Sequence, residues 1–302
     1  MRQLTDEQLV WVDTDCGVDD SLAISLVLAA GKLHGISTTW GNCTAGEAAR
    51  NAQWVLDLWG SSSAVVTGGP PTASWVRGDA HGSDGLGDTL TDARQPPSAS
   101  SAQPAAEAII DFAKRTAGRG ALLAIAPLTN LALALEMEPR ITEWIGDVIV
   151  MGGHGFGEPS DWLSAAGDTN TRHNPRASTA VAHSDLRTTW VGLDVTRTVV
   201  LDDTDFGTGE ASQALRAVHE SYGRSRAASY GYGPQWGVPA HDSVAACVAL
   251  RHTNMSSRPA LVDVDAGVVR LHPAKTGAAS RHRGVAHVDR NAIRATIRRN
   301  LI

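Results

Sequence analysis

The sequence predicts an α/β fold, a single domain with an open, mostly parallel central sheet flanked by helices. Apolar strand-like runs alternate with helical runs along most of the 302 residues, which is typical of consecutive βαβ units. Hydrophobic residues make up 42% of the chain, enough for a substantial core. Because no internal repeat and no shift in composition marks a boundary, residues 1–302 are interpreted as one domain.

The individual elements follow, in chain order, from hydrophobic periodicity and from the turn residues between the runs. Short apolar runs predict strands over residues 9–12, 33–39, 64–67, 121–125, 147–151 and 188–193. Helical runs predict helices over residues 21–30, 45–58, 105–115, 128–136, 177–183 and 243–250. The arginine-rich segment 294–299 is interpreted as the solvated face of a C-terminal helix.

Charge and cysteine content argue against several classes of partner. The net charge of −6 and the isoelectric point near 6.0 give no support for a nucleic acid or an acidic membrane surface. Residues 1–7 lack the apolar core of a signal peptide, and no run approaches the roughly 20 apolar residues of a membrane-spanning helix. Cys16, Cys43 and Cys247 have no CxxC spacing and are typical of reduced thiols. We therefore expect a cytoplasmic protein.

The acidic turn (residues 13–20) is the most informative segment of the chain. It places Asp13, Asp15, Asp19 and Asp20 between the first predicted strand and the first predicted helix. Like charges at this density raise one another's pKa values unless a cation neutralises them. Parallel α/β sheets place their ligands at such strand-to-helix turns. Because carboxylates are oxygen donors, the acidic turn predicts a site for a hard divalent cation.

Polar residues also follow the other predicted strands. Gly41-Asn42, Thr129-Asn130 and Gly152-Gly153 come after the second, fourth and fifth of them. A turn or a helix cap explains each pair by itself, but ligands gather at the carboxyl ends of parallel strands. Farther along the chain, His241-Asp242 opens a predicted helix, where Asp242 is suited either to cap the helix or to bind a metal. These segments are expected to converge on one pocket.

The acidic turn, Asp-Thr-Asp-Cys-Gly-Val-Asp-Asp, resembles the DxDPGxDD signature of the nucleoside hydrolases. Further matches follow in the family's order along almost the whole chain: Gly41-Asn42, residues 81–87, residues 126–130, residues 150–153, residues 193–196 and His241-Asp242. The resemblance implies the nucleoside hydrolase fold, tightly bound Ca²⁺ and a homodimer or homotetramer. It also implies hydrolysis of the N-glycosidic bond of ribonucleosides to free base and ribose.

The resemblance also implies roles for residues of this chain. The Ca²⁺ ligands would be Asp15, Asp20, the backbone carbonyl of Thr129, and Asp242, and Asp15 would also be the general base. Substrate contacts are expected from Asp19, Asn42 and Asn170 at the ribose hydroxyls, from Met151 and Asp168, and from His81 near the base. His241 matches the histidine that protonates the leaving base. Asp13 is expected to support the turn from behind rather than to bind the cation.

Three departures from the family pattern bear on the substrate. Asp168 stands where the family usually has Glu, and it is one methylene shorter, so we expect a weaker grip on the ribose 5′-hydroxyl. The family also has an Asn six residues before that Glu. In this chain the corresponding position falls near Asp161-Trp162, so we expect the contact made by that Asn to be missing. Cys16 replaces the usual Pro of the signature. Three loop tryptophans, Trp75, Trp162 and Trp236, are candidates to stack on the base.

Two other functions fit parts of the pattern. Asp13 and Asp15 after a first strand are similar to the aspartates of haloacid-dehalogenase-like phosphatases, but Gly17 stands where those proteins have Thr or Val. That alternative also leaves His241-Asp242 unexplained. The second alternative is a calcium-dependent nucleoside-binding or ribose-binding relative that has lost catalysis. Release of ribose from nucleosides distinguishes all three.

Overall fold

A computed structural model describes residues 8–69, 71–72, 75–90, 95, 103–156, 167–230, 236–275 and 280–301. Within those ranges, nine strands form one sheet in the order β10-β9-β11-β6-β5-β4-β1-β2-β3, and two short strands, β7 and β8, pair separately. The strands are β1 Val10–Thr14, β2 Leu33–Thr38, β3 Ala64–Thr67, β4 Ala121–Ala124, β5 Asp147–Met151, β6 Thr188–Val191, β7 Val200–Leu201, β8 Val238–Pro239, β9 Met255–Asp265, β10 Val268–Pro273 and β11 His282–Val288.

Helices connect the strands and cover both faces of the sheet. In chain order they are α1 Val18–Ala29, α2 Ala45–Leu58, α3 Gln103–Thr116, α4 Thr129–Met137, α5 Ile141–Trp144, α6 Thr169–His173, α7 Pro175–Ala182, α8 Leu193–Thr196, α9 Glu210–Tyr230, α10 His241–Ala249 and α11 Arg290–Asn300. Local caps fix several starts. At α2, for example, Thr44 Oγ1 accepts the backbone N–H of Glu47, and the Glu47 carboxylate accepts the N–H of Thr44 in return.

Side chains that alternate along the central strands supply two apolar layers. Val10 and Val12 of β1 pack into one layer with α1, α2 and α10, whereas Trp11 packs into the other with α3 and α4. Because successive side chains of a strand point to opposite faces, a strand covered on both sides must be apolar throughout. The continuous apolar run in β1 thus results from its place in the middle of the sheet.

The predicted α/β fold with a mostly parallel sheet is confirmed. All six pairings among β1 to β6 and β11 are parallel in the described residues, with β1 between β2 and β4. One edge of the sheet differs from the predicted alternation, because β9 pairs antiparallel with both β10 and β11. No strand was predicted between residues 255 and 288, where β9 exposes every second residue or more to solvent.

Candidate active site

A cavity of about 690 Å³ lies at the carboxyl ends of the parallel strands. The segments after β1, β2 and β4 reach it through Asp19, Asn42 and Ile125, and β5 reaches it through its last residue, Met151. The cavity lining includes most of the residues singled out from the sequence, namely Asp19, Asn42, His81, Met151, Asp168, Asn170, His241 and Asp242. We call this space the central cavity.

Asp15 lies fully buried directly after β1, beneath the central cavity. Its carboxylate accepts the backbone N–H of Asn42 at 2.7 Å and the side-chain amide of Asn42 at 3.1 Å. The same amide reaches the Asp20 carboxylate at 3.4 Å, so Asn42 bridges the two acids. Desolvation and the charge of Asp20 raise the pKa of Asp15 well above its usual range.

Gly41 allows this close approach of the loop after β2 to Asp15. A Cβ atom at residue 41 would lie 2.0 Å from Asp15 Oδ2. No side chain larger than hydrogen fits there unless the carboxylate or the loop moves. The glycine therefore brings the Asn42 amide against the Asp15 carboxylate.

Asp19, Asp20 and Asp242 form a group of acids, two of which, Asp19 and Asp242, line the cavity. Ligand oxygens of the three carboxylates all lie within 4.8 Å of one another. Desolvation and the charge of Asp20 raise the pKa of Asp19 to about 7, and desolvation together with Asp19 raises that of Asp242 well above its usual range. A cation held by these oxygens would offset the mutual repulsion.

Hydrogen bonds from the acidic turn hold Asp20 in place. Its two carboxylate oxygens accept the Thr14 hydroxyl at 2.5 Å and the Gly17 N–H at 2.9 Å. Asp242, at the start of α10, comes from a segment more than 200 residues away in sequence. Packing of α1 against α10 brings the two carboxylates together.

Two histidines form another part of the lining. His81 Nδ1 accepts the Val18 N–H at 3.0 Å, which leaves the ring proton on Nε2. The His81 ring stacks on Tyr222 with centroids 5.0 Å apart. His241 Nδ1 pairs with Thr196 Oγ1 at 2.7 Å. Desolvation, reinforced by Arg226 for His81 and by Arg197 for His241, lowers the pKa of each ring to about 3, so both rings are neutral near pH 7.

Asp168 lies in the wall of the cavity, but backbone groups already occupy its carboxylate. Its oxygens accept the Gly153 N–H at 2.9 Å and the Thr171 N–H at 2.8 Å, the latter as the cap of α6. Asn170 follows in α6, with its side-chain amide 3.4 Å from the Met151 carbonyl oxygen. The short side chain of Asp168 thus fastens α6 to the glycine turn after β5.

Asp13 is the first residue of the acidic turn and lies in β1. It is fully buried and is not part of the cavity lining. Its Oδ1 accepts the Ser37 hydroxyl at 2.6 Å and the Asn130 amide at 2.8 Å. Burial raises the pKa of Asp13 to about 6. This geometry agrees with the expected supporting role, since Asp13 ties β1 to β2 and to the start of α4.

Among the described residues predicted for the site, Asp15, Asp20, Thr129, Trp75 and Trp236 are not part of the cavity lining. Thr129 begins α4 and its hydroxyl accepts the Asn174 amide at 3.0 Å. Trp236 is only 3% exposed, donates to Asp203 at 3.2 Å and packs beside Phe206. It therefore contributes to the core and has no free face for a base, contrary to the prediction. Trp162 lies outside the described residues.

Some residues of the cavity lining were not predicted from the sequence. Arg197, Tyr222 and Arg226 line the central cavity. Tyr222 and Arg226 are four residues apart on α9 and so share one face of that helix. The sequence carried one signal for Arg197, since it directly follows the matched segment 193–196. The sequence contained no such indication for Tyr222 and Arg226, because no local pattern in the long polar helix α9 shows which of its faces points towards the cavity.

The sheet topology and the acidic cavity together define an α/β enzyme fold with an oxygen-ligand site at the strand ends. Residues 10–295 match the family model for inosine-uridine preferring nucleoside hydrolases. A probable uridine nucleosidase 2 of Oryza sativa subsp. japonica is 33% identical over 242 residues, covering 74% of this chain and 69% of that protein. A non-specific ribonucleoside hydrolase of Escherichia fergusonii is 30% identical, covering 85% of this chain and 83% of that protein. The chain belongs to the inosine-uridine preferring nucleoside hydrolase family, and its enzyme class is nucleoside N-ribohydrolase.

Solved structures agree with the fold. A plant nucleoside hydrolase superposes with a TM-score of 0.82 at 22% identity, covering 98% of this chain and 99% of that chain. A purine-preferring ribonucleoside hydrolase from Gardnerella vaginalis gives a TM-score of 0.80 at 24% identity, covering 97% of this chain and 99% of the other. Separately, none of the helices in the described part of the chain is both long enough and apolar enough to cross a bilayer.

Proposed function

We propose that this enzyme cleaves the N-glycosidic bond of ribonucleosides to free base and ribose in a Ca²⁺-dependent reaction. The observation that carries the proposal is the group of Asp19, Asp20 and Asp242, whose ligand oxygens lie within 4.8 Å of one another and of which Asp19 and Asp242 line the central cavity. The size of the cavity, about 690 Å³, and its mixed acidic and aromatic lining suit a nucleoside.

The residues present fit calcium in the chemistry of their donor atoms. Asp20 and Asp242 offer carboxylate oxygens, Asp15 lies beside Asp20, and the Thr129 carbonyl is the fourth group we assign. Oxygen donors in a set with several carboxylates suit Ca²⁺, which accepts six to eight such ligands. When bound, the ion would acidify a water molecule and orient the sugar hydroxyls. The raised pKa values of these acids are consistent with a site completed by positive charge.

Asp15 is assigned as the general base for the attacking water. It is fully buried, and two hydrogen bonds from Asn42 fix the plane of its carboxylate. A fixed carboxylate accepts a proton without the cost of reorienting during the reaction. As the bond to the base breaks, positive charge builds on the ribosyl ring, and the carboxylates around it favour that charge.

Asp19, Asn42 and Asn170 are assigned to the ribose hydroxyls. All three line the cavity, from the segments after β1, β2 and β5. Contacts to hydroxyl groups remote from the reacting carbon hold the ring while it flattens towards the transition state. Met151 and Asp168 form the neighbouring wall of the cavity.

His81 and His241 are assigned to the leaving base. Because both rings are neutral near pH 7, each carries a single ring N–H. At His81 this N–H lies on Nε2, and at His241 it lies on Nε2 when the Thr196 hydroxyl donates to Nδ1. Burial lowers the pKa of His241, so protonation of the departing base by this ring requires its pKa to rise when substrate binds. Arg197 and Arg226 stand beside the two rings and add positive charge where a departing base accumulates negative charge.

The deciding experiment measures ribose released from inosine, adenosine, guanosine, uridine, cytidine and p-nitrophenyl riboside. We expect turnover that chelation abolishes and that Ca²⁺ restores. Asp15→Ala should lose nearly all turnover, whereas Asp111→Ala, which removes an exposed carboxylate on α3, should retain it. Ligand-induced stabilisation without ribose release would instead identify a binding protein, and near-wild-type activity of Asp15→Ala would contradict the assigned base.

The membership of the chain in the nucleoside hydrolase family removes the reason for the phosphatase alternative.

The assembly state is a further part of the proposal, since the resemblance implies a homodimer or homotetramer. Light scattering coupled to size-exclusion chromatography tests it, and a mass of 31.7 kDa would identify a monomer instead.

A further inference from the structure

Asn51 of α2 is a fully buried amide that joins two segments of the active site. Its Nδ2 donates to the Cys16 carbonyl at 3.2 Å and to the Asp84 carbonyl at 2.9 Å. Cys16 belongs to the acidic turn, and Asp84 belongs to the segment 81–90, which we call the His81 loop. One side chain thus uses both of its N–H groups to bind two segments more than 60 residues apart.

The acidic turn needs such support because Cys16 has a φ of +37°. This left-handed region is strained for a residue with a side chain and persists only where surrounding contacts hold it. The Cys16 N–H donates to Thr14 Oγ1 at 2.9 Å, and its carbonyl accepts from Asn51. Hydrogen bonds from side chains therefore fix the peptide groups on both sides of the strained residue.

The His81 loop is folded around Asp84. The Asp84 carboxylate accepts the N–H groups of Leu86, Asp88 and Leu90 at 2.7 to 3.0 Å. The loop meets the acidic turn a second time where His81 accepts the Val18 N–H. A closed path therefore runs from the acidic turn through His81 and Asp84 and returns through Asn51.

Arg50 sets the orientation of the Asn51 amide. Its guanidinium donates to Asn51 Oδ1 at 3.2 and 3.0 Å and also to the Asp84 carbonyl at 2.9 Å. Because the amide oxygen faces this cation, the NH₂ group must face the two carbonyls. Asn51 has no access to the central cavity, so it influences substrate only through the segments it holds.

We infer that Asn51 is a positioning residue that fixes His81 relative to the carboxylates of the acidic turn. The inference rests on the proposed role of His81 at the leaving base. Loss of the amide leaves the Cys16 carbonyl without its side-chain donor and leaves the Asp84 carbonyl bonded to Arg50 alone. It also removes the hydrogen bonds by which Asn51 ties the acidic turn to the His81 loop. The His81 ring then samples positions that no longer match the departing base.

A double-mutant cycle tests the inference through kcat/KM for uridine. Asn51→Ala should lower kcat/KM about 10- to 100-fold, mainly through kcat, when His81 is present. In the His81→Ala background the same substitution should cost less than about threefold, because the group it positions is gone. Gln53→Ala removes a partly exposed amide of the same helix, bonded to Asp57 at 2.8 Å, and should behave as wild type. Equal losses in both backgrounds would overturn the inference.

Two further measurements keep the test independent of folding and of the assigned reaction. In ¹⁵N-histidine-labelled protein, the ring signals that disappear in His81→Ala should shift in Asn51→Ala but not in Gln53→Ala. Arg50→Met keeps the core intact and should move the same signals by a smaller amount. Unchanged His81 signals in Asn51→Ala and Arg50→Met would refute the positioning role of Asn51. Full activity of His81→Ala would refute only the proposed function of His81.

Discussion

Replacement of Gly41 by alanine would displace the Asp15 carboxylate, the base that we propose, without changing its chemical identity. The added Cβ would lie 2.0 Å from Asp15 Oδ2, whereas ordinary contact begins at 3.4 Å, so one group must move by about 1.4 Å. Displacement of a reacting group by about 1 Å can cost about 100-fold in rate. We therefore expect Gly41→Ala to lower kcat for uridine by about two orders of magnitude. The overpacking should also cost about 1–3 kcal/mol of unfolding free energy.

Steady-state kinetics and urea denaturation measure the two effects. Gly78→Ala is the control for stability, because a Cβ at that residue meets no atom within 4 Å. Asp111→Ala on α3 is the control for kcat, because its exposed carboxylate lies outside the cavity lining. Each control should stay near the wild type in the quantity it controls. Activity of Gly41→Ala within threefold of the wild type would refute the view that the fixed Asp15 carboxylate acts as the base.

Three other predictions follow from single side chains. His241→Ala should reduce kcat/KM for natural nucleosides by about 100-fold or more but spare p-nitrophenyl riboside, whose leaving group needs no stabilisation; equal losses would argue against a role at the base. Because the Asp168 carboxylate already accepts two backbone N–H groups, we expect kcat/KM for 5′-deoxyuridine to lie within about tenfold of that for uridine. A much larger ratio of the two kcat/KM values would show that the enzyme binds the 5′-hydroxyl strongly. Burial lowers the pKa of His219 from 6.5 to about 4 in the folded protein. As the pH falls, the His219 ring is therefore protonated in the unfolded chain before it is protonated in the native state, and the native state loses stability. The loss from this group is about 2 kcal/mol at pH 5, and His219→Gln should show a correspondingly smaller drop in urea midpoint between pH 7 and pH 5.

Local signals sufficed for the elements at the centre of the fold. The predicted and observed bounds coincide for α2, β3 and β5, because buried strands read as short apolar runs and α2 has a capping box at its start. The antiparallel edge formed by β9, β10 and β11 was missed. Most residues of β9 are exposed, so it lacks the continuous apolar run by which the buried strands were predicted. Strand pairing is also a relation between distant segments, which no local window contains.

The candidate site divides in a similar way. The positions of Asp15, Asp19 and Asn42 at strand ends were predictable, since the carboxyl ends of parallel strands meet at one edge of the sheet. The sequence could not distinguish Trp236 in the core from a tryptophan in the cavity. Both environments accept a large apolar ring, and only packing decides between them.

The sequence by itself determined the class of fold, the concentration of acids after β1 and the family to which the chain belongs. These properties follow from residue order, because a strand-to-helix turn with four carboxylates has few stable environments other than a cation site. Only the tertiary structure showed how Asp242 reaches Asp19 and Asp20, through the packing of α1 on α10, and that Asn51 ties the acidic turn to the His81 loop. Those contacts join segments far apart in the chain, so they arise from helix packing rather than from any local pattern of residues.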